Sequence, residues 1–184
     1  MKNKNKSIKD LKLISEDPCL NFLNTVSWQG SIQEDDYLQD PKDFVLWAHH
    51  VGILKKIDTD KLLKNTGAQP DQAAEYFKRV LKLRKAMMRM IVSYLEKQTI
   101  PMQDLKLFNT TLHRAFKYVS ILQEKEGFIL SFTGSTESIE YIIYSVIRAA
   151  VDLFISNRFK RVNRCADHRC GWFFIDSSKN RSRR

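Results

Sequence analysis

Through most of the chain apolar residues recur at three- and four-residue steps, and the stretches between them are short and polar, which predicts packed amphipathic helices. The longest run opens at Gln69-Pro70-Asp71 and extends to about Lys97, with Phe77, Val80, Leu81, Met87, Met88, Ile91, Tyr94 and Leu95 on one face. Arg84 falls in the middle of that stripe. A guanidinium there must find a carboxylate or several carbonyls, because an unpaired buried charge is too costly. Asp17, Asp43 and Asp152 are the candidate partners. Two readings stay open: Arg84 pins helices together, the commoner arrangement when no second basic residue shares the stripe, or it faces a pocket for an anionic small molecule. Asn24 and Asn109 would complete such a pocket.

The same periodicity predicts five further helices. Pro18 to Val26 follows an acidic cap, with Cys19, Leu20, Leu23 and Val26 on one side. Asp40-Pro41 opens a helix carrying Phe44, Val45, Trp47, Ala48 and Val51 inward until Gly52; His49 and His50, in its last turn, read as packing or surface residues. Asp58 to Asn65 is a short helix closed by Gly67. Pro101 starts one that reaches Phe116, with Leu105, Phe108, Leu112 and Phe116 inward, Asn109 beside that face and His113 at its rim. The last runs from about Thr136 to Ser156. Between these, residues 1–12 are lysine-rich and expected to fray, and Gly30 to Gln39 reads as a polar, acidic loop. Tyr118–Leu122 and Gly127–Thr133 alternate, and the intervening Gln-Glu-Lys-Glu predicts a β-hairpin.

After the last helix the pattern changes. Cys165 and Cys170 stand four residues apart, Gly171 follows, and Trp172 to Ile175 form an apolar run suited to a strand. Two thiolates across a short turn can present both sulfurs to one tetrahedral zinc, although they are half of a structural site. The alternative is a pair of ordinary thiols near a basic tail. Cys19, in an apolar context, reads as a buried thiol, and three cysteines do not make a disulfide framework.

Charge sharpens this picture. The net charge is +10, but residues 156–184 carry nine Lys/Arg against two Asp, and residues 2–12 carry five Lys against Asp10, which leaves the body close to neutral. End-loaded positive charge suits contact with a polyanion, DNA or RNA, because each neutralised phosphate releases counterions; basic tails that only aid solubility are the plainer alternative. Lys179, Arg181, Arg183 and Arg184 are the candidate phosphate contacts. No apolar run reaches the length of a membrane span and the N-terminus lacks a signal-peptide core, so a cytoplasmic protein is expected. Neither a Gly-rich phosphate loop nor a grouping of nucleophile and base is present in the sequence, so no enzyme is expected.

The order Arg164-Cys165…Cys170-Gly171-Trp172…Phe174…Asp176-Ser177-Ser178…Arg181…Arg183-Arg184 resembles the first half of the CGNR zinc finger, found in bacterial proteins behind a helical ABATE domain. Leu20-Asn21-Phe22-Leu23-Asn24-Thr25-Val26 resembles the opening of that domain, and Arg84 lies in a comparable Leu-Arg-Lys-Ala context. The resemblance implies a stress-linked bacterial transcription regulator, with a helical domain for sensing or dimerisation and a finger on DNA. In that family a Trp-Cys pair and a Cys-Gly-Asn-Arg string supply the other two zinc ligands. Arg184 stands where that half would begin. A shortened sequence is the favoured explanation; a protein without a complete site is the other.

The expected architecture is therefore mainly α: a helical bundle with one β-hairpin over residues 1–156, then a partial zinc knuckle over 157–184. The function expected is DNA-binding transcription regulation, with zinc as the finger's cofactor, RNA as another permitted partner, and a homodimer or a small-molecule effector served by the helical domain. The alternative is a small-molecule-binding protein or enzyme using a pocket near Asn24 and Arg84. As the chain stands, Cys165 and Cys170 are expected to bind zinc poorly or not at all, and the tail after Ile175 to be disordered.

Overall fold

The computed structural model describes residues 7–27, 35–135, 138–167 and 170–178. Six helices carry the core: α1 (Pro18–Leu23), α2 (Pro41–His50), α3 (Lys56–Ala68), α4 (Pro70–Leu95), α5 (Met102–Phe116) and α6 (Ile139–Phe154). Three antiparallel strand pairs decorate them: β1 (Val26–Ser27) with β2 (Asp35–Asp36), β3 (Val119–Glu124) with β4 (Gly127–Phe132), and β5 (Val162–Arg164) with β6 (Phe173–Ile175). The mainly α expectation, with a β3–β4 hairpin and a C-terminal finger region, agrees with this architecture.

Helix α4 is central and packs against all five other helices. Its inward stripe includes Phe77, Val80, Leu83, Met87 and Ile91, all buried. Tyr94, expected on that stripe, is instead exposed at its end, where it meets the ring of Phe159 at 4.6 Å. Against the N-terminal half of the bundle sits an aromatic cluster of Phe22, Phe44 and Trp47, with Phe44 stacked on Trp47 at 5.7 Å. Burying rings of this size is the largest single source of apolar stabilisation available to a domain of this length.

The helix boundaries follow local chemistry. Asp17 caps α1, its carboxylate accepting from Cys19 N at 3.0 Å. In α2 a reciprocal capping box forms: Asp40 accepts from the Asp43 amide at 3.0 Å, and Asp43 accepts from the Asp40 amide. Such boxes satisfy amide donors that have no partner inside the helix. α3 begins earlier than expected and passes through Gly67 to Ala68; Pro70, not the glycine, ends it, because the residue before a proline avoids the helical region, and Gln69 sits at φ −130°, ψ 65°. α1 stops at Leu23, three residues short of the expected end, because the Thr25 hydroxyl bonds back to Phe22 O and the next two residues enter β1.

Two expected loops are ordered. Residues 7–12, expected to fray, hold a 3-10 turn over Ile8–Asp10 whose Ile8 and Leu11 join the core, and His50 Nε2 bonds to Leu11 O at 2.8 Å. His49 bonds to Leu54 O at 3.0 Å, so both histidines serve packing. Within the acidic stretch Gly30 to Gln39, Asp35 and Asp36 form β2; residues 28–34 lie outside the described residues. No helix among the described residues is long and apolar enough to cross a membrane.

Candidate metal knuckle and its seat on the helical body

The two cysteines lie in the connection between β5 and β6. Register pairs Val162 with Ile175, Asn163 with Phe174 and Arg164 with Phe173. The turn between the strands is tightened by Cys165 N donating to Trp172 O at 2.8 Å and Cys170 N donating to Asp167 O at 2.8 Å. Gly171 turns at φ 66°, and a Cβ there would stand 3.1 Å from Arg164 Nη2, so both backbone angle and space favour glycine. The Arg164 Nε in turn donates to Gly171 O at 3.3 Å.

This geometry brings the two thiols together. Burial pushes the Cys170 thiol above its ordinary value; the Trp172 amide opposes this and the neighbouring Cys165 thiol adds to it. Facing thiols across a glycine turn are the donor chemistry of half a tetrahedral zinc site. Among the described residues no third His, Cys, Asp or Glu forms a group with them. His168 lies outside the described residues.

What sequence reasoning did not anticipate is how the knuckle is seated. Phe173 is fully buried in the core of the helical body, with Val162 beside it. The outer edge of β6 would leave the Phe173 N–H and C=O without a strand partner. Asn24, the residue that ends α1, supplies both: its Nδ2 donates to Phe173 O at 2.8 Å and its Oδ1 accepts from Phe173 N at 2.7 Å. A carboxamide offers a donor and an acceptor at nearly peptide spacing, so Asn24 acts as a one-residue strand. The linker is tied down as well: Arg158 lies 3.4 Å from Asp17, and the Phe159 ring bridges Tyr94 and Phe154.

Next to Asn24, Thr25 leads into a second buried polar group. Arg84, 1% exposed, donates through Nη1 to Thr25 Oγ1 at 2.7 Å and to Asp36 Oδ1 at 2.8 Å, while its Nη2 pairs with Asp36 Oδ2. A bidentate fork of this kind is the strong form of an arginine-carboxylate pair. The expected partners are corrected: Asp17 faces Arg158, Asp152 lies near Arg148, Asp43 closes the α2 cap, and Asp36 holds Arg84. Asp36 was hidden in a stretch with no periodicity, and only strand pairing with Val26 brings it to α4.

The pocket imagined around Asn24, Arg84 and Asn109 is not assembled. Asn24 is spent on Phe173, Arg84 is spent on Asp36 and Thr25, and Asn109 is exposed on α5. Of the tail, Asp176 is fully buried, its amide donates to Arg161 O at 2.9 Å, and its carboxylate accepts from the Ser178 amide and hydroxyl at 2.8 and 2.6 Å. Asp176 to Ser178 are therefore structured, contrary to the disorder expected after Ile175. Lys179, Arg181, Arg183 and Arg184 lie outside the described residues. Upstream of the cysteines, Lys160, in the turn before β5, and Arg164, on β5, are exposed basic residues, a pair the tail count alone did not single out.

A helical body with a cysteine hairpin seated in its core is the class of protein defined here: a helical domain joined to a zinc-finger-like module. Comparison with family models agrees. The ABATE model, described as "Putative stress-induced transcription regulator", matches residues 16–157, and the CGNR zinc finger model matches residues 161–184. The chain belongs to the ABATE family. No curated protein matches its sequence.

Proposed function

We propose that this chain is a DNA-binding transcription regulator whose helical body holds a basic zinc finger in a fixed orientation. The observation that carries the reading is the seating of β5–β6 by Asn24 and Phe173, because it makes the finger's first half a rigid extension of the helices. Phosphate contact needs several cations presented together, and a buried hairpin presents its exposed residues without paying for ordering at the moment of binding. Lys160 just before the hairpin and Arg164 on it, with Lys179, Arg181, Arg183 and Arg184 after it, would form that cationic edge. Family membership supports a regulator.

Cys165 and Cys170 would supply two of the zinc ligands, and the metal would lock the turn that they span; the remaining ligands lie outside the described donor set. The reading is non-enzymatic and cytoplasmic, with dimerisation or effector binding assigned to the helical body. A pocket at Asn24 and Arg84 is not retained, since Asn24 holds the Phe173 backbone and both terminal nitrogens of Arg84 hold Asp36 and Thr25, leaving the buried Arg84 Nε without a partner among the described residues.

The test is fluorescence anisotropy of duplex DNA with the chain across salt concentrations. Each phosphate neutralised contributes a slope of about 0.9 in log K against log salt, so four or more contacts predict a loss on the order of 10²-fold between 50 and 200 mM. A flat profile contradicts the reading. Single-stranded RNA run in parallel sorts the two polyanions: tighter binding to RNA at every salt concentration would replace DNA as the partner.

A further inference from the structure

A cavity of about 400 Å³ opens between the end of α5, the base of β3–β4 and the middle of α6. Its size falls within the roughly 300–1,000 Å³ of small-molecule sites. From α6, Tyr141, Tyr144, Ser145 and Arg148 line it, at the three- and four-residue spacing that gathers side chains on one helical face. From β4 comes Phe132, whose ring meets Tyr141 edge-on at 5.1 Å and Tyr144 at 5.3 Å. The wall is thus aromatic, with the cation of Arg148 and the carboxylate of Asp152 at the rim.

That cation is only partly used. Arg148 donates through Nη1 to Leu130 O at 3.0 Å, and its Nε stands 3.9 Å from Asp152, with both side chains more than half exposed. Such a pair is weak and screened, so the guanidinium keeps donors available. Tyr144 gives the cavity its ring, while its phenol, pushed up to about 12 by burial and next by Glu140, stays neutral and adds no charge to the wall. Aromatic faces and an underused guanidinium at the mouth are complementary to a flat apolar body ending in an anionic group.

We propose that this cavity binds a small aromatic carboxylate, its ring against Phe132 and Tyr144 and its carboxylate on Arg148. The site lies on the helix that leads through Arg158 and Phe159 into β5, so an occupant would bear on the element that carries the finger. That regulatory meaning rests on the DNA-binding reading; the binding itself does not.

Isothermal titration of the whole chain with 2-naphthoate, benzoate and uncharged 2-naphthamide tests it. 2-Naphthoate should bind with a submillimolar Kd, a free energy stronger than about −4 kcal/mol. Its amide and the Arg148→Gln variant should each lose about tenfold, the size of one charge-assisted hydrogen bond. Ser145→Phe, which fills the cavity from α6, should abolish binding; Val151→Phe does the same from the next turns and serves if the first variant does not fold. Absence of heat for both acids at several millimolar, on the order of a millimolar-range ceiling, overturns the proposal. So does binding that survives a cavity-filling variant, or that is indifferent to Arg148→Gln. Self-association of the chain that Ser145→Phe removes, with no probe binding, would assign the cavity to a second copy and overturn it too. None of these titrations contains nucleic acid, so their failure leaves the DNA reading intact, and a flat salt profile leaves the site intact.

Discussion

The two hairpins of this protein differ in a way that separates strand pairing from anchorage. β3–β4 has six paired positions and a tight turn, yet its outer half is bare: Phe128 is 76% exposed and Ile121 62%. β5–β6 has only three paired positions, but Val162, Phe173 and Phe174 are buried and Asn24 closes the outer edge. Ladder hydrogen bonds exchange water partners for protein partners at modest net gain, whereas burying a phenylalanine removes a large apolar area from water. The shorter hairpin is therefore the one that belongs to the core. The knuckle's position is a property of the helical body, and the longer hairpin's outer half is not.

Truncation at the centre of the seat should give the largest effect. Phe173→Ala is expected to cost about 4 kcal/mol, through lost transfer energy and the cavity left behind, read as a fall in the urea midpoint of the whole domain. Loss of only the knuckle's own signals, with the helices unchanged, would break the comparison. Arg84→Met should follow at about 3 kcal/mol, because it leaves the Asp36 carboxylate facing a buried site without its fork. Thermal unfolding of the single variant and of Arg84→Met with Asp36→Leu checks this: the double change should recover most of the loss.

Asn24→Ala removes both bonds to the Phe173 backbone and should cost about 2 kcal/mol, the penalty for leaving a buried amide and carbonyl unsatisfied. Asn24→Asp restores shape but not the donor, and should recover little. A smaller, pH-dependent effect is expected at Asp17, which faces Arg158 on the linker. Burial is the main cause of its raised pKa, and Arg158 opposes it. A raised folded value means that the stabilising contribution is present below the ordinary 3.8 and is lost as pH rises through the folded pKa. Asp17→Asn, which can still cap α1, should flatten the stability profile over that window; an unchanged difference between the two proteins across it would contradict the assignment. Smallest of all, Phe128→Ser on the bare hairpin should change stability by no more than about 0.5 kcal/mol.

The contrast also shows what could be read from the sequence. Helical periodicity placed α2, α4 and α6 close to their observed positions because each has one continuous apolar face, and the β3–β4 turn announced itself by alternation. The cysteine turn was legible from Cys165, Cys170 and Gly171 because its chemistry is local. The pairing of Arg84 with Asp36 was not, since it depends on a two-residue strand that no periodicity marks. Asn24 was singled out, but for a pocket: a buried asparagine signals that something polar must meet it, and sequence does not say that the partner is a backbone segment 149 positions away. Long-range polar contacts are set by the packed fold, and the pattern of apolar residues does not encode them individually.

Amide hydrogen exchange of Phe173, compared with the amides of Ile91 in α4 and Leu122 in β3, tests the central claim most directly. If the knuckle hairpin belongs to the helical core, the Phe173 amide, bonded to Asn24, exchanges only on global opening and matches Ile91, while Leu122 exchanges faster by about two orders of magnitude or more. A Phe173 amide that exchanges with Leu122 rather than with Ile91 would show that the hairpin opens independently of the helices, and would contradict the account.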